Sequence, residues 1–420
     1  MTNYKTKSVL IYDHGTFVSV AERLAKDFGK VYYYSPWKSS FPQKKFTLIG
    51  DGIKGVERVN NYFDYINDVD LFVFPDLIDG DLQLHLESLG CKVWGSRKGE
   101  ELELERVAMK KLIVKLGLPL GHYEVVKGVE NLRTYLKEHK NIWIKVDCFR
   151  GDFETVKSIN YEYISPKIDE IEANLGAFKN HVEFICEDDL PNRVELAYDG
   201  YTVDGQYPTK TLCGIEIKDL GYIGVCKDYK NLPDPVKEFN TKISPILKKY
   251  NYRNFFHPEM RIGKDKLGYV IDPAARFGSP PNEVYQELFT NLSDIIWNGA
   301  HGVCIDPIPQ GKYAVEVLVH CNWAERNWLP VQFPSKYKDN IKFRNVTVID
   351  NQYYIVPQYL GLPEIGAIVT MDDTIQGAMD KVNEIADEMK GYYIDIPCQS
   401  LDKATEEIEK LKSFGYNLFE

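Results

Sequence analysis

The feature that most constrains this chain is an alternation near its start. "KSVLIYD" reads as a short buried strand, "FVSVAERLAKDFG" as a helix ending at Gly29, and "KVYYYSP" as a second strand. "VDLFVFPD" and "CKVWGS" are two further strands, the second preceded by the helix-like "DGDLQLHLESLG". Strand, helix, strand in this rhythm predicts a parallel α/β sheet. The module closes near Lys98, far short of the 420 residues available, so two to four packed modules are expected.

Composition narrows the function classes. Hydrophobic content of 44% and charged content of 27% are those of a soluble globular chain. A formal net charge of −11 argues against nucleic acid, which needs a basic patch to displace counterions. The eight cysteines form no C-x-x-C pair and suggest a reducing compartment. The first apolar run, Val9 to Tyr12, is too short for a signal-peptide core, and no window reaches the length of a membrane span. A cytoplasmic protein without a membrane partner is expected.

Beyond Lys98, "GEELELERVAMKKLIVKLG" predicts a helix with Met109, Leu112, Ile113 and Leu116 on one face. A strand around Tyr123–Val126, a helix around Glu130–His139 and the strand "NIWIKV" follow. Residues 182–226 read as mainly β, with turns at Asp199-Gly200 and Asp204-Gly205. A helix over 235–250 leads into "FFHPEMRIGKDKLGYVIDPAARFGSPP", and a longer helix over about 282–298 leaves it. The remainder is β-rich to about Thr370. It ends in two helices, of which "DDTIQGAMDKVNEIADEMKG" carries a clear apolar stripe.

The segment 255–281 reads as a hairpin around the polar turn GKDKLG. Glu259 and Asp272 stand equally far from its middle and are expected to oppose each other, with Cβ atoms about 4.5–5.5 Å apart. Two like charges there repel unless a cation sits between them, and hard oxygen ligands suit Mg²⁺. A solvated acid pair is an equal alternative, and Pro258 disturbs pairing beside Glu259. In NIWIKV, Ile142, Ile144 and Val146 share one face while Lys145 shares the other with Trp143. A lysine in so apolar a strand needs a partner, either a phosphate or a nearby carboxylate.

These residues resemble a known superfamily. "YVIDPAARFGSPP" is similar to the hairpin end of ATP-grasp enzymes, above all phosphoribosylamine–glycine ligases with their pattern E-F-N-x-R-F-G-D-P-E. Arg276, Phe277, Gly278 and Pro280 match it, and Asp272 stands where the Glu stands. "ERVAMKKLIVKLGLPLG" resembles the family's helix before its G-I-P turn, with Arg106 at a usual Lys position and Lys110 at the next. "NIWIKVDCFRGDFETV" resembles its strand and glycine-rich flap, and "HVEFICEDD" its hinge. "GAIVTMDDTIQGAMDKVNEIADEMKGYYID" resembles its C-terminal helix segment. The matches run in order along almost the whole chain.

The resemblance implies an α/β ATP-grasp fold. A Rossmann-like domain would span 1–98, an ATP-grasp domain 99–305 and a C-terminal α+β domain 306–420. It implies ATP and Mg²⁺ (or Mn²⁺) as cofactors, and small-molecule carboxylate and amine substrates joined through an acyl phosphate by a monomer or homodimer. It assigns Lys145 and Arg106 to phosphate, although a solvated helix face is the usual reading for Arg106. It assigns the backbone at Glu183, Phe184 and Ile185 to adenine, and Glu187 or Asp188 to the ribose. Glu259 and Asp272 would hold the metal. Arg276 would meet a substrate anion or the transferred phosphate, with a salt bridge, for instance to Asp272, as its structural alternative. His14, after the first strand, and His257, on the face of Glu259, are read first as ordinary polar residues.

Departures cluster at the phosphate and substrate sites. Ala274 replaces the Asn, and Ser279 and Pro281 replace the Asp and Glu. Asp13-His14-Gly15-Thr16 stands in place of a G-x-G-G turn, and the flap keeps one glycine, Gly151. Of the N-T-G-G-M-G segment only Gly221 and Gly224 have counterparts. Phosphoribosylamine is therefore not the expected substrate. Two readings stand: a diverged ATP-dependent carboxylate–amine ligase, or a catalytically degraded protein that binds a nucleotide or a protein partner. An NAD enzyme is a poor third, because no G-x-G-x-x-G follows a strand.

Overall fold

The computed structural model describes residues 3–36, 48–148, 155–357 and 363–420. Gly151 and most of the flap lie outside the described residues.

The four strands expected at the start pair in parallel, joined by a short fifth, Val56–Arg58. Ser8–Tyr12 lies at the centre, between Lys30–Tyr34 and Leu71–Val73. The near-continuous apolar character of these strands follows from burial on both faces. The helix expected to reach Gly29 stops at Leu24.

Three antiparallel sheets form the rest among the described residues, the smallest made of Leu329–Val331, Gln352–Ile355 and Val346–Ile349. A four-stranded one, in the order Tyr123–Lys127, Glu183–Asp188, Ile142–Val146, Thr155–Ser158, carries the helices Val129–Glu138 and Tyr161–Leu175 on one face. Ile142, Ile144 and Val146 pack beneath these helices with Phe184, Ile164 and Ile168 as a separate core. An eight-stranded sheet begins with the hairpin strands Gly268–Ala274 and Arg253–Ile262 and continues through Val194–Val203, Lys210–Ile217 and Gly221–Asp228. It then takes in Tyr313–His320, Glu364–Asp372 and Ile341–Phe343, so one sheet crosses the division expected at 305/306.

Several local expectations are corrected. No turn forms at Asp199-Gly200; the strand runs through it, with Gly200 opposite Phe256. The turn at Asp204-Gly205 does form, both residues having positive φ (52° and 77°). The long helix after the hairpin is two, Asn282–Leu288 and Leu292–Ala300. Gly224 is an ordinary strand residue opposite Gly214; a Cβ at either would strike the Tyr222 ring. These glycines make room for that ring and do not form a phosphate loop.

Asn254 joins the parallel sheet to the hairpin, donating to the Phe74 carbonyl at 3.2 Å and to Ser96 Oγ at 3.0 Å. Ser96 in turn donates to the Ala275 carbonyl, and Phe277 N–H donates to the Pro75 carbonyl at 3.0 Å. The segment around Arg276 is thereby fixed to the ends of the parallel strands. All eight cysteines are free thiols, and among the described residues no helix is long and apolar enough to cross a membrane.

Candidate functional site

The four-stranded and eight-stranded sheets face each other across a cleft of about 810 Å³ lined by Lys110, Trp143, Lys145, Glu187, Glu259 and Asp272, among others. It continues into a wider hollow of about 1700 Å³, bordered by Arg106, Glu216, His257 and Arg276; Glu259 and Asp272 line both. Strand alternation decides which residues reach it. Trp143 and Lys145 project from the face opposite the helix-covered core, so both line the cleft.

Lys145 is only 2% exposed, and its partners in the structure are carboxylates. Its Nζ lies 2.6 Å from Asp272 Oδ2 and 3.0 Å from Glu187 Oε2. Glu187 Oε1 in turn meets Lys110 Nζ at 2.5 Å, and Lys110 also donates to the Ile271 carbonyl at 2.8 Å. Two lysines and two acids therefore close a chain across the cleft. Burial alone would lower the Lys145 ammonium, but Asp272 and Glu187 outweigh it and hold it above its usual range. Burial alone would raise Asp272, but Lys145, Lys110 and Arg106 outweigh it and hold its carboxyl low.

Glu259 has the opposite environment. A bulge interrupts the ladder between Pro258 and Met260, because proline has no N–H to give it. Pro258 still pairs with Pro273, but Met260 pairs with Val270, so Glu259 stands at the irregularity near Asp272 rather than in a regular pair with it. Burial, then Glu195 and Asp272, push its carboxyl well above the normal range. Glu216 is pushed up likewise, by burial and then by Glu259 and Glu195.

These acids fit a hard cation. Glu259 and Asp272 offer oxygen donors in one cleft, and a cation between them would relieve the repulsion. Among the described residues no three His, Cys, Asp or Glu side chains could hold a metal alone. A Mg²⁺ held there would need its other ligands from phosphate and water.

The residues expected to form the hinge do not line the cleft. Glu183, Phe184 and Ile185 lie within a strand paired on both sides, Phe184 with Val126 and Val146 and Ile185 with Val125 and Lys145. Their backbones are engaged in the sheet, and none of the three lines the cleft. The residues that do are Glu187, Asp188, Asp189 and Leu190, at the end of that strand. Asp189 accepts from Trp143 Nε1 at 3.1 Å and from Lys157 Nζ at 2.7 Å. Trp143 and Lys110 were the residues that sequence reasoning undervalued. The signal for Trp143 was its shared face with Lys145.

Arg106 is not on a solvated face. It is buried, borders the wide hollow and donates to the Val146 carbonyl at 2.8 Å. Arg276 has Glu103, not Asp272, as its ion-pair partner, with Nε 3.0 Å from Oε1. Glu103 also accepts the Ala275 N–H at 2.6 Å and so fixes the segment that carries the arginine. His257 is buried against Asp199 Oδ1 (3.3 Å), with Gly278 N–H donating to its Nε2 at 3.2 Å. His14 meets Asp79 at 2.9 Å.

A parallel domain followed by two antiparallel sheets that clamp a cleft is the fold of the ATP-grasp enzymes. No family model and no curated protein matches the sequence. Solved structures match nearly all of the chain. Phosphoribosylamine–glycine ligase from Thermotoga maritima is similar with a TM-score of 0.65 and 17% identity, covering 93% of this chain and 98% of its own. The biotin carboxylase domain of Hydrogenobacter thermophilus 2-oxoglutarate carboxylase, in complex with MgADP, ADP and bicarbonate, gives 0.66 and 14% over 99% of both chains. L-amino acid ligase from Bacillus licheniformis gives 0.60 and 14%, over 92% of this chain and 98% of its own.

Proposed function

We propose that the protein is an ATP-dependent ligase that activates a carboxylate as an acyl phosphate and passes the acyl group to an amine. One observation carries this reading: Lys145 and Lys110 on one wall of the cleft face Glu259 and Asp272 on the other. That is the arrangement a polyphosphate with a divalent cation requires.

In this reading Lys145, Lys110 and Arg106 bind phosphate oxygens. Glu187 to Leu190 receive the nucleoside, a revision of the 183–185 hinge. Glu259 and Asp272 would hold Mg²⁺, which neutralises phosphate charge when bound. A substrate carboxylate oxygen attacks the γ-phosphorus and ADP leaves. The amine nitrogen then attacks the acyl carbon and inorganic phosphate departs. Arg276 orients the carboxylate or the acyl phosphate from the wide end of the hollow, so the chain contributes mainly position and charge. Similar structures support the class: one is an L-amino acid ligase, and another holds MgADP.

The test is ADP release from Mg·ATP across a panel of carboxylates, each with and without an amine. Release that requires both, together with a new amide in the products, is the expected result. A binding-only protein is the second reading, favoured by Ala274 where an additional metal ligand is expected. It predicts thermal stabilisation by Mg·ATP with no ADP release under any pair.

A further inference from the structure

We propose that Asp272 makes the cleft selective for metal-bound nucleotide by withholding Lys145 from the metal-free form. The inference rests on the nucleotide reading above.

Lys145 is enclosed and has two counter-ions, Asp272 at 2.6 Å and Glu187 at 3.0 Å. They are not equivalent. Glu187 is also held by Lys110 and its side chain is 12% exposed, whereas that of Asp272 is 27% exposed and borders both parts of the hollow. Asp272 is therefore the partner an incoming phosphate must displace. A metal-free triphosphate brings only negative charge. Once displaced, the Asp272 carboxylate would have to share Lys110 and Arg106 with the phosphates while facing their charge on one side and the carboxylate of Glu259 on the other, in a site that screens poorly. A divalent cation arriving with the phosphates gives Asp272 a new positive partner while Lys145 passes to a phosphate oxygen. The exchange then conserves charge pairing on both sides.

This has a consequence that a simple ligand role lacks. Removing the Asp272 charge should improve the binding of metal-free ATP, because Lys145 no longer has to leave a carboxylate that stays behind. The same change should weaken Mg·ATP. Neutralising an ordinary metal ligand would weaken the second and leave the first unchanged.

The experiment is calorimetric titration of the full chain with ATP in excess EDTA and with ATP in excess Mg²⁺, for the wild type, Asp272→Asn and Asp272→Ser. The wild type should bind at least about tenfold more weakly in EDTA. Both variants should bind about tenfold more tightly than the wild type in EDTA and more weakly than it in Mg²⁺. The serine variant guards against an asparagine that rebuilds the contact to Lys145, and far-ultraviolet circular dichroism establishes that both fold. Equal wild-type affinity in the two buffers would overturn the proposal and leave the nucleotide site standing. So would variants that are no tighter than the wild type in EDTA. If no ATP binds the wild type in either buffer, the nucleotide reading falls and this inference falls with it.

Discussion

The narrow end of the cleft and its wide end solve the problem of buried charge differently. At the narrow end Lys110, Glu187, Lys145 and Asp272 alternate in sign, each within 3.0 Å of the next. At the wide end Glu259 and Glu216 have other carboxylates as their strongest neighbours, and both are pushed well above the normal carboxylate range. The first end is already neutral and must exchange partners to bind anything. The second is unbalanced and gains stability from any cation. On the proposed reading, such a cleft would take a cation near Glu259 and Asp272 and a polyanion only by exchange of partners at Lys145.

The largest test of this contrast is Lys145→Met. It leaves Asp272 and Glu187 in a buried setting with one cation fewer, at a cost of about 3–5 kcal/mol in urea denaturation, and Mg·ATP binding should be lost. A loss below about 1 kcal/mol would mean the narrow end is far more hydrated than its burial implies. Next is Arg276→Ala at the wide end. It should lower ADP release at least about a hundredfold while the Kd for Mg·ATP changes less than about threefold. A large rise in Kd instead would place Arg276 on the nucleotide.

The third test uses a region outside the cleft. Asp13 is buried at the end of the first strand, where it accepts from Tyr33 Oη at 2.7 Å and from the N–H groups of Gly15 and Phe17 at 3.0 Å. Burial outweighs these bonds and pushes its carboxyl up from 3.8 to about 6. The folded state therefore holds this proton more tightly than the unfolded chain. Its contribution is fully present below pH 4 and is lost as pH rises through 6, about 3 kcal/mol in total. Asp13→Asn should remove that decline from a pH series of denaturation curves, without altering Mg·ATP binding. The smallest effect is expected for Glu216→Gln, which should stabilise the unliganded protein by about 1 kcal/mol at pH 8 by relieving repulsion from Glu259 and Glu195. No gain would mean that a cation or water already answers the charge.

Much of this structure was legible in local pattern. The parallel strands followed from short apolar runs between helices, because burial on both faces leaves no alternation. The face of Lys145 followed from the twofold period of a strand, and the approach of Glu259 to Asp272 followed from their distances to a turn. Such readings succeed because they depend on backbone geometry within a few residues. Even here the sequence fell short at Asp199-Gly200, where a turn dipeptide lies inside a long strand. There the neighbouring strand fixes the backbone in an extended form and overrides local preference.

What the sequence by itself determined was therefore most of the elements, their order and the side that Trp143 and Lys145 face. The tertiary structure alone decided the partners. Lys145 meets Asp272, 127 residues away, and Arg276 meets Glu103, 173 residues away, once the modules dock. Tertiary packing also chose Glu187 to Leu190 over Glu183 to Ile185 as the cleft wall, because Phe184 is taken into the helix-covered core while the end of the strand reaches the cleft. Charge pairing between distant elements leaves no period in the sequence. It depends on a few ångströms of docking between sheets, which the packing of the whole molecule sets.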